Sequence, residues 1–244
     1  NVLAGNSESG IFIIGVGATQ NVIQGNIIGE NISGAAIPND LEGITLTGNA
    51  SNNTVGGTAA GSGNVIASNA GRGINLYSGT GNAIEGNSIR ANTSIGIDLG
   101  NNGVTLNDGL KQAGRPNLDV DSPVFTTAVL SGTTLNLAGY IGSAPGQAVF
   151  AGSRVEVFHS DNDTSGRGEG SRYLGFLTSD GSGNFSGAMA VTGLVGGDRI
   201  TGTATDGAGN TSEFGPNTVV LNPDITVNPV SGLATTEVGG TATF

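Results

Sequence analysis

The chain has 244 residues, of which 45 are Gly, 8 are Lys or Arg, 19 are Asp or Glu, and none is Cys or Trp. A hydrophobic share of 36% is too high for a disordered acidic tail, while a charged share of 11% is less than half of that in an ordinary globular surface. The net charge of −11 disfavours nucleic acid and anionic membranes as partners, and the lack of Cys excludes a disulfide framework, a thiol nucleophile and a zinc–thiolate site.

Gly, Asn, Thr, Val and Ile, formers of turns and strands, predominate over helix formers, so an all-β chain is expected. Gly shows no three-residue period, which removes collagen. No apolar run approaches membrane-spanning length, and no basic leader precedes one, so neither membrane insertion nor a signal peptide is expected.

Two patterns alternate through the first hundred residues. One is Gly-Ile-x-(Ile/Leu), at Gly10–Ile13, Gly43–Leu46, Gly73–Leu76 and Gly96–Leu99. The other is Asn-x-(Ile/Leu)-x-x-Asn, at Asn1–Asn6, Asn21–Asn26, Asn64–Asn69 and Asn82–Asn87. The first recurs at spacings of 33, 30 and 23 residues, and the excess falls in polar stretches, 30–40 and 56–63, that read as loops inserted at corners. A unit of 23 residues with three apolar runs and three corners cannot bury its apolar side chains alone; it stacks on copies of itself. Residues 1–110 therefore read as a parallel β-helix of four to five coils. Ile, Val and Leu point inward, and Asn occupies corners, where it tolerates left-handed backbone and bonds to the next coil. The pattern is already running at Asn1, so upstream coils or a cap are expected to cover an otherwise open sheet edge.

Residues 111–123, with two prolines, read as a linker. Strands are then expected at 124–130, 133–141, 154–159, 173–178, 184–191, 199–205 and 217–221, separated by Gly/Asp/Ser turns. That spacing fits an immunoglobulin-like β-sandwich over 124–222. The segment 223–244 carries two further strand-like runs, around Ile225 and Val227 and from Thr241 to Phe244, too short for a domain. It is the start of a further β-sandwich repeat or a strand that pairs elsewhere.

The coils Asn21–Gly29 and Asn53–Ile66 resemble the right-handed parallel β-helix repeats of very large secreted bacterial surface exoproteins, including cyanobacterial ones. Thr203–Phe214 is similar to the last strands of the immunoglobulin-like module that follows those repeats, and Val227–Glu237 resembles the opening of a Calx-β-like repeat. The resemblance implies an extracellular or cell-surface protein with a role in adhesion or matrix building. It covers nearly the whole chain and specifies architecture more than activity.

Parallel β-helices also carry polysaccharide lyases and hydrolases, which need a base beside calcium-binding carboxylates or a carboxylate pair across the sugar bond. The coils offer Glu30, Asp40, Glu42, Glu85, Asp98 and Asp108, with Arg72 and Arg90 as cations. Asp98, between Ile97 and Leu99, is expected to point outward into solvent, and it makes no evident pair with Glu85. His159 is the only histidine and has no triad context. The strongest ligand signal is the run 161–169, whose Asp161, Asp163, Ser165 and Glu169 are spaced like the opening of a calcium loop. Arg172 stands where such a loop closes on a bidentate Glu. Asp206, Asn210 and Glu213 form a weaker cluster that reads as turn chemistry.

No catalytic group is expected. The chain reads as an extracellular structural or adhesive protein that assembles with itself or binds surface proteins or glycans. One version builds a filament by adding the strand residues Ile225, Val227, Thr241 and Phe244 to a neighbour's sheet. A polysaccharide lyase or hydrolase, and a carbohydrate-binding module, are the alternatives; the missing Trp counts against the last.

Overall fold

The computed structural model describes residues 1–161 and 165–222. Asp163 and the four residues of the expected assembly strand, Ile225, Val227, Thr241 and Phe244, lie outside the described residues.

The first half is a parallel β-helix. Eleven short strands follow one another, β1 (Val2–Leu3), β2 (Ile11–Ile14), β3 (Val22–Ile23), β4 (Ile27–Ile28), β5 (Ile44–Thr47), β6 (Thr54–Gly56), β7 (Val65–Ala67), β8 (Ile74–Leu76), β9 (Ala83–Glu85), β10 (Ser88–Arg90) and β11 (Ile97–Leu99). They sort into three parallel sheets, β1-β4-β7-β10, β2-β5-β8-β11 and β3-β6-β9. Three complete coils with a strand at each end therefore replace the four to five coils expected.

In-register stacking builds the core. Ile11, Ile44, Ile74 and Ile97 form one inward column, and Ile13, Leu46, Leu76 and Leu99 a second. Ile28, Ile66 and Ile89 form a third, joined by Ile23, Val55 and Ile84 from the remaining sheet. β-Branched side chains suit these columns because their restricted χ1 costs little in a strand and their width fills the space between coils.

At the three corners, Asn side chains form ladders with one direction. Asn26 donates its backbone N–H and its Nδ2 to Oδ1 of Asn64, both at 3.0 Å, and Asn64 does the same to Asn87. Asn6, Asn39, Asn69 and Asn92 form a second ladder, and Asn21, Asn53 and Asn82 a third. The positive φ at these corners belongs to the preceding residue, as at Gln20, Asn52, Ser68 and Ala91, so the expectation that the ladder Asn takes it is corrected. The ladder Asn needs the backbone geometry that aims N–H and Nδ2 at one oxygen; the turn is made one residue earlier.

The second half is a sandwich of antiparallel sheets. Its strands are β12 (Pro123–Ser131), β13 (Thr134–Ile141), β14 (Arg154–Ser160), β15 (Gly170–Thr178), β16 (Asn184–Ala190), β17 (Arg199–Thr205) and β18 (Thr218–Val219), one for each strand read from the sequence. One sheet is β12-β13-β16 and the other β15-β14-β17-β18. The first, second and fifth strands thus face the third, sixth and seventh, with the fourth strand beside the third. Val155, Val157, Ile200 and Ala204 from one sheet meet Phe125, Leu135, Leu137 and Phe185 from the other.

Within residues 111–123, the part from 116 to 123 is largely buried. Pro116–Asp119 forms a 3-10 turn whose buried Asn117 extends the third ladder, accepting from Asn82 N at 3.1 Å and donating to Asn82 O at 2.8 Å. Asn117, Leu118 and Asp119 all have positive φ, and the bonds of Asn117 to Asn82 and to Thr211 O hold that conformation.

Candidate functional site

The chemistry-bearing residues concentrate where the sandwich covers the last coil. Strand β14 is buried on both faces. Val155 and Val157 enter the sandwich core, while Phe158 joins the β-helix core together with Phe214. Phe158 packs edge-on against Tyr173 at 5.6 Å and Phe214 at 5.5 Å between ring centres, closing the apolar end of the coil stack.

Around that aromatic plug, three buried glutamates accept the hydrogen bonds that a further coil would otherwise accept. Glu169 ends the second ladder: its Oε2 accepts from Asn92 N at 2.9 Å and its Oε1 from Asn92 Nδ2 at 2.7 Å. Glu156 accepts from Gly86 N at 2.7 Å, next to the end of the first ladder. Glu213 accepts from Leu99 N at 2.9 Å and from Thr105 N at 2.8 Å. Burial raises all three carboxyl pKa values above the usual range and outweighs the donors, which lower them. Glu169 reaches about 8 and Glu213 about 7; for Glu156 burial likewise exceeds Gly86 N–H and Arg154. Asp161, hydrogen-bonded to Glu169, raises the latter further and also accepts from Ala91 N at 3.1 Å. Beside the third ladder's end, burial lifts Asp121 to about 6 against the N–H groups of Gly109 and Asp108.

Of the residues read as a calcium loop, Asp161 and Glu169 are thus brought together, but both oxygens of Glu169 face the solenoid. Ser165 Oγ accepts from Arg167 N. Among the described residues, no three His, Cys, Asp or Glu side chains converge as a metal site.

Of the six carboxylates considered for glycan chemistry, Glu30, Glu42 and Asp98 are drawn into ion pairs. Glu30 is bidentate with Arg90, at 2.7 and 2.6 Å. Arg72 Nε contacts Asp98 at 2.5 Å, and its Nη1 lies 3.4 Å from Glu42. Asp98 was expected to face solvent and is fully buried instead. Its side chain does lie outside the coil, but the 100–103 turn folds back over it, with Asn102 N and Gly103 N donating to its oxygens at 3.1 Å. Glu85 interacts electrostatically with Glu156 and Tyr173. Asp40 is exposed; Asp108 accepts from Leu110 N and from Gln112 Nε2. His159 lies 3.4 Å from Ser171 Oγ and 3.5 Å from Asp198.

No family model matches the chain. The crystal structure of the adhesin domain of Epf from Streptococcus pyogenes aligns with a TM-score of 0.32 and 14% identity, covering 44% of this chain. The alignment takes in 34% of that chain, so the match spans about a third of its length.

Asp206 makes the expected turn, accepting from Ala208 N and Asn210 N. Asn210 and Glu213 do more, binding Gly81 N and Leu99 N of the solenoid. Sequence reading missed Glu156 and Asn117 altogether. A signal existed for each: Glu156 is a lone charge in the apolar run 155–158, and Asn117 is one more Asn after the Asn corners. The outer sandwich face also carries an open groove of about 470 Å³ lined by Thr126, Tyr140, Asp180 and Asn184. Among the described residues, no helix is long and apolar enough to cross a membrane.

Proposed function

We propose that the chain is a non-enzymatic structural or adhesive piece of an extracellular surface protein, a rigid β-helix closed at one end by a sandwich. The observation that carries this reading is the use made of its acids. Glu30, Glu42 and Asp98 are held in ion pairs, and Glu156, Glu169 and Glu213 cap the last coil. A glycosidase needs two carboxylates free to face a sugar bond, and a lyase needs a free base. Incubation with acidic and neutral glycans should release neither reducing ends nor unsaturated uronates; turnover abolished by Glu85→Ala or Asp98→Ala would overturn the reading.

Self-assembly through 223–244 is the finer version of this role, supported by the strand-like runs at Ile225, Val227 and Thr241–Phe244 in the sequence. Light scattering on chains with and without 223–244 tests it, and unchanged assembly rejects the filament. Calcium binding near Asp161, Asp163 and Ser165 has to proceed without Glu169. A melting temperature that rises with calcium supports such a loop. The groove beside Tyr140 favours glycan binding as a second reading, which Tyr140→Ala tests on a glycan array.

A further inference from the structure

Lys111 is the only lysine of the chain, and its side chain is 21% exposed. Its Nζ donates to Asp206 Oδ2 at 2.9 Å. The same oxygen accepts from Asn210 Nδ2 at 3.1 Å, and Asp206 Oδ1 accepts from that Nδ2, also at 3.1 Å. One carboxylate therefore holds an amine and a carboxamide side by side, and both acceptor residues are buried, Asp206 at 9% exposure and Asn210 at 2%. The 206–210 turn accounts for the bonds from Ala208 N and Asn210 N to Asp206. It accounts neither for the lysine, which arrives from 95 residues away, nor for the direction of the amide.

That amide points its oxygen at the solenoid. Asn210 Oδ1 accepts from Gly81 N at 2.7 Å. A backbone N–H so placed stabilises the negative charge that develops on a carbonyl oxygen when a nucleophile adds to its carbon. The two backbones lie close enough for this because both are Gly: a Cβ on Gly81 would come within 3.2 Å of Ala208 O, and one on Gly209 within 3.3 Å of Gly81 O. Nucleophile, proton carrier and oxyanion donor are thus assembled around one carboxamide.

We infer that Lys111 and Asn210 join in an intramolecular isopeptide bond, with Asp206 as the catalytic residue, in a single self-reaction without turnover. Burial alone would raise the Asp206 carboxyl, but the donors from Lys111 and Asn210 outweigh it and hold it below its usual value, so the resting pair is ammonium and carboxylate. Lys111 becomes a nucleophile when one of its protons crosses to Asp206 Oδ2. The neutral Nζ adds to Asn210 Cγ while Gly81 N–H holds the negative oxygen. Asp206 then gives its proton to Nδ2 and takes one from Nζ; the Cγ–Nδ2 bond breaks, and its electron pair leaves with ammonia. The Nζ–Cγ amide forms without an oxidant, an energy source or a second chain. With this bond in place, tension between the solenoid and residues beyond 210 passes through Lys111 and Asn210 and bypasses strands β12 to β17.

Mass spectrometry of the intact chain, kept folded at neutral pH until its mass stops changing, tests the inference. The mass should settle one ammonia, about 17 Da, below that of the sequence. Trypsin should no longer cut after Lys111, and digestion should release one branched peptide that carries Lys111 and Asn210. Lys111→Arg keeps a cation opposite Asp206 but offers no neutral amine, so it should show the full mass, as should Asp206→Asn. A parent chain that stays at the full sequence mass overturns the inference. So does a loss of ammonia that persists in Lys111→Arg, because it would then come from cyclisation of an Asn on its own backbone. If Asp206→Asn does not fold, the masses of the parent and of Lys111→Arg decide the matter alone.

Discussion

Glu169→Gln probes the cap most directly. In the folded chain the Glu169 carboxyl titrates at about 8, against a reference value of 4.5. The folded state therefore holds a proton that the unfolded state releases. The stability this provides is complete below about pH 4.5 and is lost as pH rises toward 8, falling by about 1.4 kcal/mol per pH unit, or about 5 kcal/mol across the window. Gln does not titrate. It keeps one acceptor for Asn92 but replaces the other with an amide donor, so one of the bonds at 2.9 and 2.7 Å is lost, a cost of about 1–2 kcal/mol. The variant should thus be less stable than the parent at pH 5 and more stable at pH 9, with the order reversing between. Urea unfolding of both proteins at pH 5, 7 and 9, followed by circular dichroism, measures this. A difference that stays constant with pH would refute the assignment of Glu169 as a buried, protonated cap.

Asn69→Ala removes the acceptor for Asn39 Nδ2 and the donor to Asn92 Oδ1 in a fully buried ladder; a loss of about 3–5 kcal/mol is expected in the same unfolding assay. Arg72→Ala leaves Asp98 charged and buried and should cost about 3–5 kcal/mol, whereas Asp98→Asn, which still accepts from the 102–103 backbone, should cost less. Phe158→Ala opens the plug between coil stack and sandwich, with a cost of about 3–5 kcal/mol and earlier proteolysis at the junction. Glu213, raised to about 7, predicts a second decline in stability between about pH 4.5 and 7, which Glu213→Gln should flatten.

The repeat was legible because stacking repeats its demands. Each coil needs Ile or Leu at the same inward places and Asn at the same corners, and every sandwich strand followed from alternation and turn residues. Asp98 and Glu156 were not legible, for one shared reason. Alternation tells which face of a sheet a side chain occupies, not what later lies against that face. Asp98 does leave the coil outward, but the 100–103 turn covers it. Glu156 does leave the sandwich core, but the solenoid lies there. Contacts between residues some 70 to 130 positions apart, such as Gly86 with Glu156 or Gly81 with Asn210, leave no periodic trace.

The direction of the ladders explains why acids collect at the junction. An inner Asn offers two donors to one oxygen above it and has its own oxygen filled from below. The chain of amides thus resembles the aligned peptides of a helix, with donors exposed at one end and acceptors at the other. Stopping the stack at the donor end requires acceptors that carry no donors of their own into the contact. A carboxyl group meets that requirement, since both oxygens of Glu169 accept from Asn92 while its proton faces Asp161, where another Asn would pass the problem on by presenting a fresh Nδ2. Asn117 ends the third ladder only because its Nδ2 turns back to Asn82 O and Thr211 O. The raised values at Glu156, Glu169 and Glu213 follow from the same arrangement: each oxygen is placed for its donors, but the aromatic plug beside them excludes water, and desolvation exceeds what the donors return.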